Sequence, residues 1–165
     1  GHLLIGPRSG SKTADFQIPA TLPPDIPGLD VITEHVESLR PGAEIPLNKD
    51  GHIHTWYEKL GTSVDVLEST AAGDPVLVAS DKIRYLGGWP DEMALSRILS
   101  HTLDAAGVET LEMPTGLRVR DLGNLRLFVN YGTETVFVPN TLHTLKVKPH
   151  GLLLIDRSSH KVLLD

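Results

Sequence analysis

The sequence contains no cysteine, so a disulfide framework and thiolate chemistry are both excluded. This composition fits a reducing compartment, and we expect the protein in the cytoplasm. Aromatic residues make up only 5% of the chain, too few for the rows of aromatic platforms that sugar-binding modules usually carry. No apolar run approaches the ~20 residues of a membrane-spanning helix, which predicts no membrane partner.

Clustered positive charge is also missing. The net charge is -6, and a nucleic-acid-binding protein needs clustered lysine and arginine to neutralise phosphates. Nucleic acid is therefore excluded as an expected partner. The hydrophobic share of 40% is that of a folded domain rather than of a disordered chain.

The charge changes sign along the chain. Residues 1–116 carry 17 acidic and 8 basic side chains, a balance of -9, whereas residues 117–165 carry 4 acidic and 7 basic, a balance of +3. The change falls at the chain breaker Pro114-Thr115-Gly116, a type of segment that separates domains. We therefore predict two domains, residues 1–112 and residues 117–165.

The first domain mixes strands with one helix. Leu3–Ile5 is predicted as a buried strand of a parallel sheet, and residues 7–28 as a long proline-rich loop. Further strands are predicted at 29–40, 52–60, 64–69, 76–80 and 83–86. A helix is predicted from Pro90, as its first residue, to a stop at Gly107. Its apolar face is predicted to consist of Leu95, Ile98, Leu99, Thr102, Leu103 and Ala106.

The second domain reads as strands alone. We predict an antiparallel meander with strands at 117–120, 125–131, 135–138, 144–148, 152–156 and 161–164. In the second of them Leu125, Leu127, Val129 and Tyr131 share one side. A unit of this size is only marginally stable by itself, so we expect it to be stabilised by contact with a partner domain.

One segment resembles a phosphate-binding loop. Residues 6–13 match the motif G-x-x-x-x-G-K-[ST] except that Ser11 replaces the second glycine. A phosphate loop must also open a helix, and Ala14 to Pro19 have no helical character. We expect an ordinary polar loop and no bound nucleotide or other cofactor.

His52, His54, Trp56 and Glu58 are predicted to lie on one face of a strand. Two imidazoles beside a carboxylate suit zinc, yet no third protein ligand is evident, so a solvated face is the preferred interpretation and no metal is predicted.

Hydrolysis of a glycoside requires two carboxyl groups that flank the bond. The carboxylate pairs nearest in sequence are Glu34 with Glu37, Asp91 with Glu92, and Glu109 with Glu112. A structural role is enough to explain each pair. No catalytic residue is therefore predicted.

Four stretches together resemble the C-terminal third of glycoside hydrolase family 42 β-galactosidases. They are residues 6–13, 36–42 (VESLRPG), 85–90 (YLGGWP) and 125–132 (LRLFVNYG). The resemblance implies an α+β, mostly β chain, with part of an α/β (flavodoxin-like) trimerisation domain in residues 1–112. A small antiparallel β-domain in residues 117–165 would follow it.

The family's catalytic (β/α)₈ barrel has no counterpart in this sequence. The resemblance therefore implies a non-catalytic part that supports oligomer assembly of a retaining enzyme acting on terminal β-galactosides. Its partner would be the rest of the parent enzyme or further copies in a trimer. A freestanding carbohydrate- or metal-binding β module is the alternative.

The long loop is the predicted oligomer contact. Its apolar side chains Phe16, Ile18 and Leu22 have no evident use within 165 residues, and segments of this composition order themselves by lying across another surface.

Overall fold

Short runs of β-branched and leucine residues form strands throughout the chain, and one amphipathic segment forms a helix. In a computed structural model, residues 1–20, 23–139 and 145–165 are described. The described chain is mostly β with several antiparallel sheets, as predicted. It divides into two compact units, Gly1–Glu109 and Thr110–Asp165.

The first unit contains eight strands and a helix in its described residues. Their bounds are β1 Leu3–Ile5, β2 Val31–Ser38, β3 Glu44–Pro46, β4 His52–Thr62, β5 Asp65–Ser69, β6 Pro75–Ser80, β7 Ile83–Leu86, β8 Gly88–Pro90 and α1 Glu92–Ala105. The short strands β3 and β8 are too brief for the sequence pattern to predict. The described part of residues 7–28 holds no helix or strand, as expected for the loop.

Two sheets build this unit. One has the order β1-β7-β6-β5, and the other has the order β2-β4-β3 with β8 paired to β4. β1 runs parallel to β7, with Leu3 opposite Ile83, so the predicted parallel pairing is confirmed. The strand is not fully buried, because it lies at the sheet edge and has no second neighbour among the described residues.

The core of the first unit has two apolar clusters. β6 supplies side chains to both of them, which explains its continuous apolar sequence. One cluster contains Leu47, Ile53, Tyr57, Val76, Leu77, Leu86, Ala94 and Ile98. The other contains Leu29, Val31, Leu60, Val78 and Tyr85.

The helix begins at Glu92 rather than at Pro90, and only part of its predicted apolar face is buried. Pro90 ends β8, and Asp91 is the N-cap, with its Oδ1 accepting the Ala94 N–H at 2.8 Å. The buried side chains are Ala94, Ile98 and Thr102, whereas Leu95 and Leu99 are exposed. The predicted stop is confirmed, because Gly107 follows the cap in the left-handed region (φ 66°). None of the described helices has the length and apolarity needed to cross a membrane.

The second unit is a four-stranded antiparallel sheet and a separate hairpin. The strands are β9 Leu117–Leu122, β10 Leu125–Asn130, β11 Val136–Phe137, β12 Lys146–Val147, β13 Leu152–Asp156 and β14 Val162–Leu164. The sheet order is β14-β13-β10-β9, and β11 pairs with β12. A simple meander is therefore wrong, because β10 skips the hairpin and pairs with β13. The predicted strand at 144–148 begins outside the described residues.

The side of β10 predicted to carry Leu127, Val129 and Tyr131 is not the buried one. Phe128 and Asn130 are buried in the core of the second unit, and Tyr131 is 69% exposed. The Asn130 side-chain amide occupies a polar niche, since it donates to the carbonyl oxygens of Glu134 (2.7 Å) and Lys148 (3.0 Å). Because an asparagine lies on the buried side, hydropathy does not indicate which side of this strand faces the core.

A buried ion pair fastens the helix of the first unit to β5. Arg97 donates from Nε and Nη2 to the two carboxylate oxygens of Glu68, at 2.9 and 2.8 Å. Glu68 is only 4% exposed, and its hydrogen bond raises the pKa of the Arg97 guanidinium.

Replacing Arg97 by alanine is expected to lower the free energy of unfolding by about 2 kcal/mol, since the Glu68 carboxylate would stay buried without its bidentate partner. Urea denaturation measures this loss. Lys59→Ala is the matched control, because Lys59 pairs with Asp74 at 3.1 Å on the exposed surface and should contribute little. Equal losses in the two variants would contradict the importance of the buried pair.

Candidate functional site

The strongest polar cluster in the first unit surrounds Glu58 on β4. The Glu58 carboxylate is 3% exposed and accepts three hydrogen bonds. The Arg8 backbone N–H and the Trp56 indole N–H both donate to Oε1 at 2.9 Å. The Tyr85 hydroxyl donates to Oε2 at 2.5 Å. A buried carboxylate needs this degree of pairing, because desolvation alone strongly disfavours its charge.

β4 contains a bulge near this cluster. Thr55 has a φ of 63°, and the pairing of β4 with β8 shifts between His54 and Tyr57. Glu58 is buried although it lies on the same strand as the exposed His54. The prediction of a solvated face at His52, His54, Trp56 and Glu58 is therefore wrong for Glu58.

The loop of residues 6–13, which resembles a phosphate-binding loop, contacts this cluster through Arg8. Besides the Arg8 backbone contact, the Arg8 guanidinium lies 4.8 Å from the centre of the Trp56 ring. No described helix follows Thr13, whose N–H instead donates to the Gln17 carbonyl at 2.8 Å in a tight turn. The loop therefore lacks the helix N-terminus that a phosphate-binding loop requires.

The two neighbouring histidines have separate partners. His52 Nε2 is 3.3 Å from Glu44 Oε1, and its Nδ1 is 3.3 Å from Asp91 Oδ2. His54 Nδ1 is 2.8 Å from Thr55 Oγ1. The described residues contain no group of three histidine, cysteine, aspartate or glutamate side chains that could hold a metal ion.

The candidate carboxylate pairs mostly have structural partners. Asp91 caps the helix, and Glu37 Oε1 is 3.6 Å from His35 Nε2. Glu34 lies over Gly61, where an added Cβ would come within 2.6 Å of its Oε1.

The residues predicted as an oligomer contact are the most exposed apolar side chains of the loop. Phe16 is 84% exposed and Ile18 is 70% exposed. Leu22 lies outside the described residues. Their role in association stays a prediction.

Sequence reasoning missed Arg8 and Tyr85 as partners of Glu58. These residues are 50 and 27 positions away from it, and no local pattern signals either contact. The proximity of Trp56 to Glu58 was the only part of the cluster that spacing along the strand could indicate.

Comparison with known proteins identifies the class. No protein-family model matches the chain. A β-galactosidase of Thermus thermophilus is 37% identical over 171 residues, which span 96% of this chain and 26% of that enzyme. The crystal structure of a β-galactosidase from the psychrophilic Marinomonas ef1 superimposes with a TM-score of 0.83 at 30% identity, over 93% of this chain and 25% of that one.

The chain is thus homologous to the C-terminal part of a β-galactosidase. The fold is shared with Gan42B, a family 42 β-galactosidase of G. stearothermophilus, with a TM-score of 0.69, 11% identity, and coverage of 94% of this chain and 26% of that one. The predicted resemblance to the C-terminal part of a β-galactosidase is confirmed, and the fold is shared with a family 42 enzyme. The chain spans about a quarter of the length of the relatives that it matches.

Two buried tyrosines predict a loss of stability at alkaline pH. Burial, and then the carboxylates of Asp74 and Glu37, raise the pKa of Tyr57 to about 12. Burial and the hydrogen bond to Glu58 raise the pKa of Tyr85 as well. In the unfolded chain both phenols ionise near pH ~10. Their contribution is therefore complete below pH ~10, and for Tyr57 it is lost between pH ~10 and about 12.

The two tyrosines should differ at neutral pH. The Tyr57 hydroxyl has no hydrogen-bond partner among the described residues, so Tyr57→Phe should be neutral or slightly stabilising. Tyr85→Phe should cost about 1.5 kcal/mol, because Glu58 loses a donor. Urea denaturation from pH 7 to 11.5 measures both effects. If Tyr57→Phe leaves the alkaline slope unchanged, the assignment of that slope to Tyr57 is wrong.

Proposed function

We propose that this chain is a non-catalytic part of a family 42 β-galactosidase and that it supports oligomer assembly of the parent enzyme. The proposal rests on one observation: nearly all of this chain matches the relative, but only a small part of the relative matches this chain. The match extends over 96% of this chain but over only 26% of the Thermus thermophilus β-galactosidase. The parent would hydrolyse terminal β-galactosides, with the catalytic barrel supplied by residues that have no counterpart here.

In this proposal the two units have the roles that the family implies. Residues 1–112 form the later portion of a flavodoxin-like trimerisation domain, and residues 117–165 form the small C-terminal antiparallel β-domain. The parallel pair β1 with β7 supports the first assignment because parallel strands mark α/β architecture.

The free edge of β1 supports a partner on this side of the first unit. A strand edge presents unpaired backbone N–H and C=O groups, and proteins cover such edges or blunt them. β1 has no second strand neighbour among the described residues and carries the partly exposed apolar residues Leu3, Leu4 and Ile5. The rest of the parent enzyme is the partner that fits.

The exposed loop supports association as well. Phe16 and Ile18 place two large apolar side chains in water at or beside a tight turn, and neither belongs to an apolar core cluster of the described residues. We propose them as contacts to the parent enzyme or to another copy in a trimer. The absence of cysteine fits a cytoplasmic location for this assembly.

The purified chain is expected to release no nitrophenol from a nitrophenyl β-galactoside, because it lacks the acid and nucleophile pair that hydrolysis requires. A full-length β-galactosidase is the positive control. Turnover that survives repurification and disappears on replacing a carboxylate of this chain would contradict the non-catalytic role.

The chain is expected to associate with itself, and Phe16→Asp with Ile18→Asp is expected to shift it toward monomer, because charge at the turn opposes burial there. Light scattering over a range of concentrations measures the mass. Val66→Asp is the matched control, since Val66 is an exposed apolar residue on β5, away from the loop. A monomeric wild type with an identical double variant would refute the assembly role.

A further inference from the structure

The sheet of the second unit has an apolar depression with a basic rim. Leu127 and Val129 point away from the core residues Phe128 and Asn130, and they lie opposite Arg120 and Arg118 in the pairing of β10 with β9. Residues directly opposite each other on paired strands share a face. Together with Tyr131 these side chains line a depression of about 350 Å³.

The two arginines at this rim are not neutralised. Arg118 donates to the Leu117 carbonyl at 3.0 Å, and neither guanidinium forms an ion pair with a described residue. The neighbouring Asp121 is engaged by Arg126 at 2.6 Å and by Arg157 at 3.4 Å. An occupant that offers a carboxylate beside an apolar group therefore complements the depression in both charge and polarity.

The loop of the first unit presents that combination. Asp15 is exposed and forms no ion pair with a described residue, and the next residue, Phe16, is 84% exposed. The turn is held by the Thr13 N–H donating to the Gln17 carbonyl (2.8 Å) and the Phe16 N–H donating to the Thr13 carbonyl (3.0 Å). Phe16 has a φ of 60°, a region that bulky residues rarely occupy.

The Asp15-Phe16 pair thus lies in a turn whose backbone shape is fixed by hydrogen bonds within the loop. Strained backbone persists where the surrounding structure fixes it, and it concentrates at binding and functional sites. A segment already fixed in its bound shape loses little conformational entropy on docking. The size also fits, since an apolar cavity of ~150 Å³ holds a benzene ring.

We propose that the Phe16 ring of one copy of this chain occupies the depression on the second unit of another copy, with Asp15 paired to Arg118 and Arg120. The ring would lie against Leu127, Val129 and Tyr131. This inference rests on the proposed assembly function and specifies one of its contacts.

The contact has a definite symmetry. Each copy offers one turn and one depression, and the two surfaces differ, so the interface is heterologous. Such interfaces close into rings or continue as filaments. A ring of three copies is the form that agrees with the proposed trimer.

The experiment is sedimentation equilibrium on the full chain and on two classes of variant. Asp15→Ala with Phe16→Ala disables the turn, and Arg118→Glu with Arg120→Glu disables the depression. Each class alone should dissociate at least tenfold more readily than wild type. An equimolar mixture of the two should form a one-to-one dimer, because one intact turn then meets one intact depression.

Two controls separate this contact from general surface effects. Gln17→Ala keeps the backbone hydrogen bonds of the turn, and Lys161→Glu reverses an exposed charge of the second unit away from the depression. Both should associate as wild type does. The reciprocal exchange Asp15→Arg with Arg120→Asp should recover part of the association that either change removes.

The outcomes distinguish the inference from the proposed function. If wild type associates but Arg118→Glu with Arg120→Glu behaves as Lys161→Glu does, assembly stands and this contact is wrong. If the mixture of the two disabled classes stays monomeric, the contact is also wrong. A wild type that is monomeric at every concentration overturns the contact and the self-assembly together.

Discussion

The first unit depends on the burial of one charge, the carboxylate of Glu58. An ionised carboxylate excluded from water costs several kcal/mol unless donors surround it. Here the donors come from three parts of the chain: the N-terminal loop through Arg8, the same strand through Trp56, and β7 through Tyr85. If one donor is displaced, the other two elements lose an anchor as well, so the loop, β4 and β7 are energetically coupled.

The position of Glu58 along β4 makes this coupling possible. His54, near the start of the strand, is exposed, whereas Glu58 is buried and accepts the Tyr85 hydroxyl proton in a hydrogen bond. The bulge at Thr55, with a φ of 63°, lies between the two. The same strand therefore passes from water into the core, and its buried part supplies the most buried charged side chain among the described residues of the first unit.

Local patterns predicted the elements better than their faces. Leu3–Ile5, the strands near Val76 and Ile83, and the helix stop at Gly107 follow from apolar runs and turn residues. Which side of β10 and of α1 is buried did not follow from hydropathy. The buried side of β10 carries Asn130, a polar residue whose amide donates to the Glu134 carbonyl. In α1 only part of the predicted apolar face is buried, since Leu99 is exposed. The cluster at Glu58 escaped prediction for another reason, because two of its donors are 50 and 27 positions away in the sequence.

The pairing of β1 with β7 has a consequence for synthesis of the chain. Leu3 and its partner Ile83 are separated by 80 positions, so β1 leaves the ribosome long before its neighbour exists. At ~5–20 residues per second the delay is roughly 4–16 s. Throughout that interval the apolar segment Leu3–Ile5 has not yet met its pairing strand β7. A co-translational chaperone, or sequence already made upstream, is what would shield it from the strands of neighbouring nascent chains on the same messenger.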